Sequence, residues 1–565
     1  MVSSRGGKGH RPVCGSQWRK AAALLAAGVA APAMAVQFET DAPGLKVVWD
    51  NTVKYSNAFR VEGQSPALLA NPNLDDGDRN FKKGLISNRL DLLSEFDLQY
   101  QDFGVRLSGA AWYDTIYNKR SDNDSPFTVN QTSVAFDQFA EQTRKLHGRK
   151  AEFLDAFAFG RFDLGDMRST VRVGRHAVVW GESLFFGSNA IAGGMAPVDV
   201  TKLLSVPGTQ FKEAIRPVPQ ISGQIQVSPT VTVGAYYQFR WEASRLPALG
   251  SYFSQGDTIA EGAQQMLLVS PFTPFAFNAP HDPNMTPDNG GQGGVQLRFN
   301  YADTDFGLYA IRYHNKTFQQ VSKVGMNGAV VGPTSYHLAY HQGIKAYGFS
   351  ASRTFGPANV AIEASVRTNQ DLASSNAADV SFFGAPPADN KNNPGYAVGK
   401  TAHFNISTLW ALGPTALFNE ANFVAELAWN RVLSCSKNCV VYDPATFTGT
   451  IDPNSTRDAV ALRVLFEPAY RQVLPGLDVS VPIGVGYSPA SSRSRALGPG
   501  SFPPAGGGDL TIGLNGSYLD VWRFTLGYTH YFGGTKAFLD SNNNYSYGQS
   551  LGDRDFVAIS VRRTF

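Results

Sequence analysis

Segments of about ten residues in which apolar and polar side chains alternate recur along the whole of this 565-residue chain. Successive side chains of a β-strand point to opposite faces, so this alternation gives each strand one apolar and one polar face. The segment from Leu45 to Val61 carries Lys46, Asp50, Lys54 and Arg60 on its polar face. The pattern returns at 90–100, 105–114, 295–301, 360–367, 510–518 and 522–529. A soluble sandwich also alternates, but it seldom places so many charges on one face, so a membrane-spanning all-β chain is predicted.

The last segment, Asp555 to Phe565, alternates and ends the chain on an aromatic residue. Its apolar face holds Val557, Ile559, Val561 and Phe565, and Arg563 interrupts that face. The segment resembles the closing strand of bacterial outer-membrane barrels, which the barrel-assembly machinery reads. The alternative is an ordinary edge strand of a soluble β-protein.

The first 35 residues have the three parts of a secretory signal peptide. Residues 1–20 carry five basic residues and no acidic one, a short apolar run follows, and Ala33-Met34-Ala35 supplies a cleavage site after Ala35. The run is too short to span a bilayer, which takes about 20 apolar residues. No later run resembles a transmembrane helix. We therefore expect residues 36–565 to form the mature domain and to reside in the bacterial outer membrane.

Connections between the alternating segments are short and long in turn. Short turns fall at 101–104, 163–166, 228–230, 302–307, 355–358 and 519–521. Long connections fall at 62–84, 115–150, 182–217, 243–292, 316–341, 370–397, 433–457, 488–508 and 533–552. Outer-membrane barrels have short periplasmic turns and long outer loops. The pattern predicts a closed antiparallel barrel of eighteen strands, with sixteen as the alternative and both termini periplasmic.

Other sequence features exclude several classes of function. A net charge of +3 is too small to indicate a nucleic-acid partner. Cys435 and Cys439 are predicted to form a disulfide in an oxidising compartment, since a metal site would need further ligands. His403 and Ser407 share a strand face, but they lie about 13 Å apart, too far for a catalytic dyad. We therefore predict no enzymatic activity, cofactor or metal.

The connection 182–217 is unusually apolar for an exposed loop. We predict that it folds into the barrel as a constriction, with one or two helical turns from Pro197 to Leu204. The residues assigned to this constriction loop are Phe185, Phe186, Asp199, Lys202 and Leu203. The alternative is that it packs on other outer loops as a cap.

Charged residues on the polar faces predict the path of a ligand through the lumen. Arg172, His176, Trp180 and Glu182 share one face. The remaining path residues are Arg89, Arg106, Arg298 and Arg367, whose charges would favour a carboxylate. Arg175 would then point toward lipid, so either a bulge near Gly174 shifts the register or Arg175 lies near an interface.

Three stretches together resemble one family of Gram-negative outer-membrane proteins, the domain-of-unknown-function family thirteen hundred and two. They are the mature start with W-D-N-T-V-K-Y-S at 49–56, V-R-V-G-R-H-A-V-V-W-G-E-S at 171–183, and A-P-V-D-V-T-K-L-L-S-V-P-G-T-Q-F-K-E-A-I-R-P-V-P at 196–219. His176 stands where the family pattern would have Gln. The resemblance implies an outer-membrane location and traffic of hydrophobic compounds, and it implies no catalytic residues.

These features together predict an outer-membrane channel for the passive passage of small hydrophobic or amphipathic organic compounds. Its expected partners are outer-membrane lipid, the barrel-assembly machinery, periplasmic chaperones and a small hydrophobic ligand, and we expect a monomer or a weak oligomer. The alternatives are a structural or adhesion barrel with a filled lumen, a polar-solute porin and an outer-membrane lipid enzyme.

Overall fold

A computed structural model describes residues 36–38, 43–205, 214–268, 277–327 and 330–565. Eighteen antiparallel strands form a closed ring, and we number them β1 to β18 in chain order. They are Leu45–Arg60, Gly84–Tyr100, Phe103–Asp114, Arg149–Leu164, Met167–His176, Val218–Ser228, Val231–Gln238, Gln292–Tyr301, Thr304–Tyr313, Ile344–Phe355, Ala358–Asp371, Val398–Leu412, Glu420–Lys437, Asp458–Leu474, the interrupted strand Leu477–Ser480 with Ile483–Ser488, Gly507–Tyr518, Trp522–Phe532 and Phe556–Thr564. The predicted strand number is confirmed.

The ring closes between its first and last strands. β1 pairs with β18 from Thr52 opposite Thr564 to Arg60 opposite Phe556. Asn51 and Phe565 then exchange two backbone hydrogen bonds of 2.7 and 2.8 Å. An additional short strand, Val36–Phe38, pairs with β1 beyond this point. The carboxy-terminal residue of the chain therefore completes the last hydrogen-bonded pair between β1 and β18.

The short and long connections lie at opposite ends of the ring, as predicted. All six predicted short turns join neighbouring strands, and two further short turns, 413–419 and 475–476, were not predicted from the sequence. Pro482 lies between the two parts of β15 and interrupts this strand, because its nitrogen has no hydrogen to donate to β14. All nine long connections are confirmed, so the long-loop end is the outer end of the barrel.

The lipid-facing surface is apolar and is bordered by aromatic residues at both ends. Tyr and Trp residues near the short turns are exposed on this surface, as are Tyr residues near the long loops: Trp49, Tyr100, Tyr301, Trp410 and Tyr518 at one end, and Tyr113, Tyr237, Tyr347 and Tyr487 at the other. Such girdles are typical of membrane–water interfaces. The guanidinium of Arg563, which interrupts the apolar face of β18, lies 5.0 Å from the ring centre of Trp522 near the short-turn end. The charge of Arg563 is thus placed at an interface.

The outer loops contain their own secondary structure. Gln265–Leu268 pairs with Phe277–Pro280, and Gln319–Asn327 pairs with Val330–Ala339 and with the parallel strand Ala377–Asp379. Short helices occupy Asp76–Arg79, Glu141–Thr143, Arg144–Gly148, Ala192–Met195, Val200–Ser205 and Ser381–Phe383. Within the described ranges, no helix is long and apolar enough to cross a membrane.

The two faces of β2 can be tested with one pair of neighbouring leucines. Leu92, 42% exposed, faces lipid at the middle of β2, whereas Leu93 faces the lumen between Asp91 and Glu95. We expect Leu92→Arg to destabilise the barrel by about 2–4 kcal/mol, because an arginine at the bilayer midplane is not solvated. Leu93→Arg should be tolerated, since it enters water beside two carboxylates. Urea unfolding in lipid vesicles measures both, and equal destabilisation of the two variants would contradict this orientation.

A group of buried carboxyl groups joins two outer loops. The backbone N–H of Asp76 donates to Asp257 Oδ2 at 3.2 Å, and Asp75 is the next residue along the chain. Burial and the neighbouring carboxyl groups raise the pKa of Asp76 and of Asp257 above the ordinary aspartate value. These carboxyl groups are therefore neutral in the folded loops at a pH where they would be ionised in the unfolded chain.

This difference predicts that the loop packing weakens as the pH rises. The folded loops bind more protons than the unfolded ones above the ordinary aspartate pKa of about 4, so their stability falls from there upward. We expect cleavage of the outer loops by a protease, normalised to the unfolded chain, to increase from pH 5 to pH 8. Asp257→Asn should flatten this dependence, and Asp303→Asn at a short turn should not change it. An unchanged pH profile in Asp257→Asn would disprove the assignment.

Candidate functional site

The connection after β5 passes along the inner face of the barrel wall. On β11, β12 and β13, lumen-facing polar residues alternate with lipid-facing apolar ones, and those polar residues contact residues 181–191. We call residues 181–196 the clamped segment. Residues 206–213 of the predicted constriction 182–217 lie outside the described part of the chain. How far the segment narrows the pore stays a prediction.

Glu426 on β13 holds the beginning of the clamped segment. Its carboxylate accepts hydrogen bonds from the backbone N–H groups of Leu184 at 3.1 Å, Phe186 at 3.0 Å and Phe185 between them. The hydroxyl of Ser183 donates to it at 2.7 Å. Glu426 is only 1% exposed, and a buried charge needs such a set of donors to offset the loss of water. Glu426 thus holds this segment through three consecutive backbone N–H groups, which all donate to its carboxyl group.

Glu363 on β11 holds the segment at a second place. It accepts hydrogen bonds from the N–H of Glu182 at 2.7 Å and from that of Ile191 at 2.6 Å. Gly181 has a φ of +95°, and a Cβ there would lie 2.2 Å from a Glu363 oxygen. Any other residue at position 181 would clash with Glu363, so the glycine permits this close approach.

Asn189 locks the tip of the segment into the wall. Its side-chain nitrogen donates to Asn405 at 2.9 Å, and its oxygen lies 3.0 Å from both the amide of Asn430 and Nδ1 of His403. The guanidinium of Arg367 donates to the carbonyl oxygens of residues 188 and 190 at 3.0 and 2.8 Å. Arg367, predicted on the ligand path, therefore has its guanidinium bound to the segment.

His403 and Ser407 have partners in the same interface. The second ring nitrogen of His403 lies 2.8 Å from Thr401, and Ser407 donates to the carbonyl of Glu182 at 3.3 Å. Both side chains contact the clamped segment or its surroundings, and not each other. This arrangement fits the interpretation of these residues as polar residues of the lumen.

Most of the other cations on the predicted path already have carboxylate partners. Arg89 lies 2.6 Å from Asp91, Arg106 lies 2.5 Å from Glu95, and Arg298 lies 3.9 Å from Glu182. The remaining one, Arg172, stacks on an aromatic ring, with its guanidinium carbon 5.8 Å from the ring centre of Phe157. These arginine–carboxylate ion pairs connect neighbouring positions of the barrel wall and stabilise it.

The polar and aromatic residues at the end of β5 and just after it each contact a defined partner. His176 is buried, with Nε2 2.7 Å from Ser222 Oγ. Trp180 packs on Tyr236 with ring centres 5.0 Å apart. The guanidinium of Arg175 is bound by both carboxylate oxygens of Glu242, at 2.6 and 3.1 Å. β5 keeps its register through Gly174, so Arg175 takes the second predicted option, a position at the outer end of the strand.

The predicted constriction residues divide between the wall and the outer loops. Phe186 is buried against Phe502, and Phe185 packs beside it. Asp199 binds Arg245 at 2.9 Å and accepts the N–H of Lys202 at 3.0 Å, which starts the helix Val200–Ser205. Leu203 packs on this loop and lines the cavity described next.

A large cavity lies between the outer loops and the clamped segment. Its volume is about 1880 Å³, and it reaches Ser188 and Gly193 on one side and the exposed hairpin residues Val330 and Val331 on the other. Most of its lining is apolar, including Leu203, Leu204, Leu246, Phe253, Ile259, Met266, Leu267, Phe277, Phe318, Val324, Phe383 and Phe447. We call this cavity the vestibule. It can hold a hydrophobic compound above the clamped segment.

The residues that hold the clamped segment were, apart from Arg367, not predicted as site residues from the sequence. Glu363, Asn189 and Glu426 fall in ordinary polar positions, and their partners lie 172 or more residues away along the chain. The predicted disulfide is present at the outer end of β13, where Cys435 and Cys439 have Cα atoms 5.6 Å apart. In the parts of the chain described, no group of three His, Cys, Asp or Glu side chains could hold a metal ion.

A closed ring of eighteen strands, apolar outside and polar inside, defines a β-barrel of the outer-membrane type. The chain belongs to the family described as Protein of unknown function (DUF1302), whose model matches residues 18–565. The resemblance proposed from three short stretches is thereby confirmed over nearly the whole chain. No curated protein matches the chain.

Several solved outer-membrane proteins are similar to it at low identity. OccAB3 of Acinetobacter baumannii is 11% identical, with a TM-score of 0.42, and the match covers 92% of this chain and 99% of that one. The outer membrane channel DcaP of the same organism is 11% identical, with a TM-score of 0.33 and coverage of 94% and 99%. OmpF of Salmonella typhi, in complex with daunomycin, is 8% identical, with a TM-score of 0.37 and coverage of 94% and 100%.

The role of Glu426 leads to a prediction about conductance. Glu426→Ala removes a buried anion whose hydrogen bonds are worth about 1.5–3 kcal/mol each, so we expect the clamped segment to loosen. Single-channel recordings in planar bilayers should then show larger and noisier currents than the wild type. Glu420→Ala, on the same strand but paired with Arg471 near a short turn, is the matched control. Identical currents from all three proteins would contradict the clamp.

Proposed function

We propose that this protein is an outer-membrane channel that admits small hydrophobic or amphipathic organic compounds by passive passage. The observation that carries the proposal is the vestibule of about 1880 Å³, which opens among the outer loops and has an apolar lining down to the clamped segment. Apolar surface removed from water stabilises a bound compound by roughly 25 cal/mol for each Å² buried. A compound of this kind would therefore collect in the vestibule before it passes further.

The mouth of the vestibule supports the same proposal. Val330, Val331 and Phe383 are exposed at its edge, and large apolar groups exposed together on a protein surface mark binding sites. Beyond the vestibule, the lumen wall carries paired charges such as Arg106 with Glu95. A polar wall holds water, so an apolar compound gains nothing by staying there and leaves toward the periplasm. The proposed path is thus capture outside and release inside.

A structural barrel with a filled lumen is the second candidate, and the clamped segment favours it. The segment is held by Glu363, Glu426, Asn189 and Arg367, which would also suit a permanent closure. Conductance discriminates between the two candidates, because a filled barrel carries no current while the proposed channel does.

The apolar mouth can be tested by uptake into proteoliposomes. Phe383, 56% exposed, lines the vestibule, whereas Phe127, 82% exposed, is an outer-loop phenylalanine that is not part of its lining. We expect Phe383→Asp to slow the uptake of octan-1-ol or a sterol about 3- to 10-fold, corresponding to the loss of part of a buried aromatic contact. Phe127→Asp should behave as the wild type.

A second variant for the same uptake experiment has residues 182–191 replaced by a flexible glycine–serine linker of the same length. We expect polar solutes such as glucose to enter faster through this variant than through the wild type, and we expect a weaker preference for apolar solutes. Equal uptake of every solute by the wild type and the linker variant, with the variant still folded, would rule out the segment as the selective element.

A further inference from the structure

Lys316 is a buried lysine in the loop that follows β9, and it lines the vestibule. It is 3% exposed. Its ammonium donates to the side-chain oxygen of Gln292 at 2.9 Å and to the carbonyl of His314 at 3.3 Å. Both acceptors are neutral, so neither balances the charge of the ammonium.

No carboxylate of the described residues lies within 4.0 Å of the Lys316 ammonium. Asp371, which also lines the vestibule, has its two oxygens bound by the amides of Asn315 at 2.7 Å and Gln319 at 2.8 Å. Burial without a counter-charge lowers the pKa of Lys316 to about 7. Lys316 thus differs from Arg89, Arg106 and Arg298, whose charges are already paired.

The side chain next to Lys316 also lacks an acceptor. The amide nitrogen of Gln292 is buried and donates to no atom of the residues that the structure describes. The ammonium of Lys316 has three protons, and the described residues supply it with two acceptors. A buried donor without an acceptor costs about 1–3 kcal/mol, so the arrangement gains from a ligand that brings oxygen atoms and a negative charge.

We propose that Lys316 binds the carboxylate headgroup of an amphipathic ligand whose apolar chain lies in the vestibule. This inference rests on the proposed function and specifies its ligand class, a monocarboxylic acid with an apolar tail. The headgroup would accept hydrogen bonds from the ammonium and offset its buried charge. The tail would contact apolar lining residues such as Leu246, Leu267 and Phe318.

Three probe molecules separate the two parts of such a ligand. Octanoate has both headgroup and tail, octan-1-ol has the same tail without charge, and acetate has the charge without the tail. Binding is measured by calorimetry with the full-length protein in lipid nanodiscs, with empty nanodiscs as the blank. We expect octanoate to bind the wild type at least ten times more tightly than either of the other two.

Lys316→Met, which keeps an unbranched side chain one atom shorter and removes the charge, should weaken octanoate binding about 10-fold and leave octan-1-ol binding unchanged. Lys323→Gln removes an exposed charge from the same loop and should bind all three probes as the wild type does. The heat-dependent shift of the folded band on a detergent gel verifies that each variant is folded, and Lys316→Gln provides a second variant if Lys316→Met is not.

The outcomes separate this inference from the proposed function. Equal binding of octanoate and octan-1-ol, or unchanged octanoate binding in both Lys316 variants, would overturn the headgroup site and leave the channel for apolar compounds standing. Binding of none of the probes to the wild type would overturn both. Tight octanoate binding that is lost in the Lys316 variants and kept in Lys323→Gln establishes the site.

Discussion

The need to pair every backbone polar group inside lipid determines the rest of this structure. A hydrocarbon core offers no water to an unpaired N–H or C=O, so a sheet can cross it only when the first and last strands meet. Here the meeting point is the pairing of β1 with β18, completed by Asn51 and Phe565. Closure with eighteen strands also encloses a space too wide for side chains alone to fill. The alternating faces, the aromatic girdles and the polar lumen all follow from that ring.

A wide lumen creates a second problem, because its polar wall residues lose water wherever a loop packs on them. Here the backbone N–H groups of the clamped segment replace the water that the wall residues lose. The carboxyl groups of Glu363 and Glu426 are buried, and the N–H groups of the segment donate hydrogen bonds to them, while the side chain of Asn189 contacts both β12 and β13. The same contacts that satisfy the wall hold the segment in place. Removal of either partner leaves a buried polar group without its hydrogen bonds, so wall and segment stabilise each other.

The barrel was predictable from the sequence because its signals are local, whereas the site was not. Alternation along a strand and the turn residues between strands are read over about ten residues, which is why eighteen strands and nine long loops could be placed. The turns 413–419 and 475–476 were missed because their neighbouring strands alternate weakly. Arg367 was placed on the correct face, but its partners lie 177 or more residues earlier in the chain. Lys316 stands in the unremarkable run N-K-T-F, where nothing local signals burial.

Passage through such a barrel requires that no single site bind too strongly, since a ligand must also leave. Apolar contact in the vestibule has no direction and grows with the area buried, so it concentrates a compound without fixing its orientation. In the proposal, a buried cation with only neutral partners, such as Lys316, would orient the ligand, and the ligand's own charge would offset the cost of burying that cation. The charges deeper in the lumen differ because Arg89 and Arg106 are held by neighbouring carboxylates and attract an anion only weakly. In the proposed channel, affinity for an amphipathic acid would therefore decrease from the outer end of the barrel to the inner one, and this gradient would allow capture at one end and release at the other.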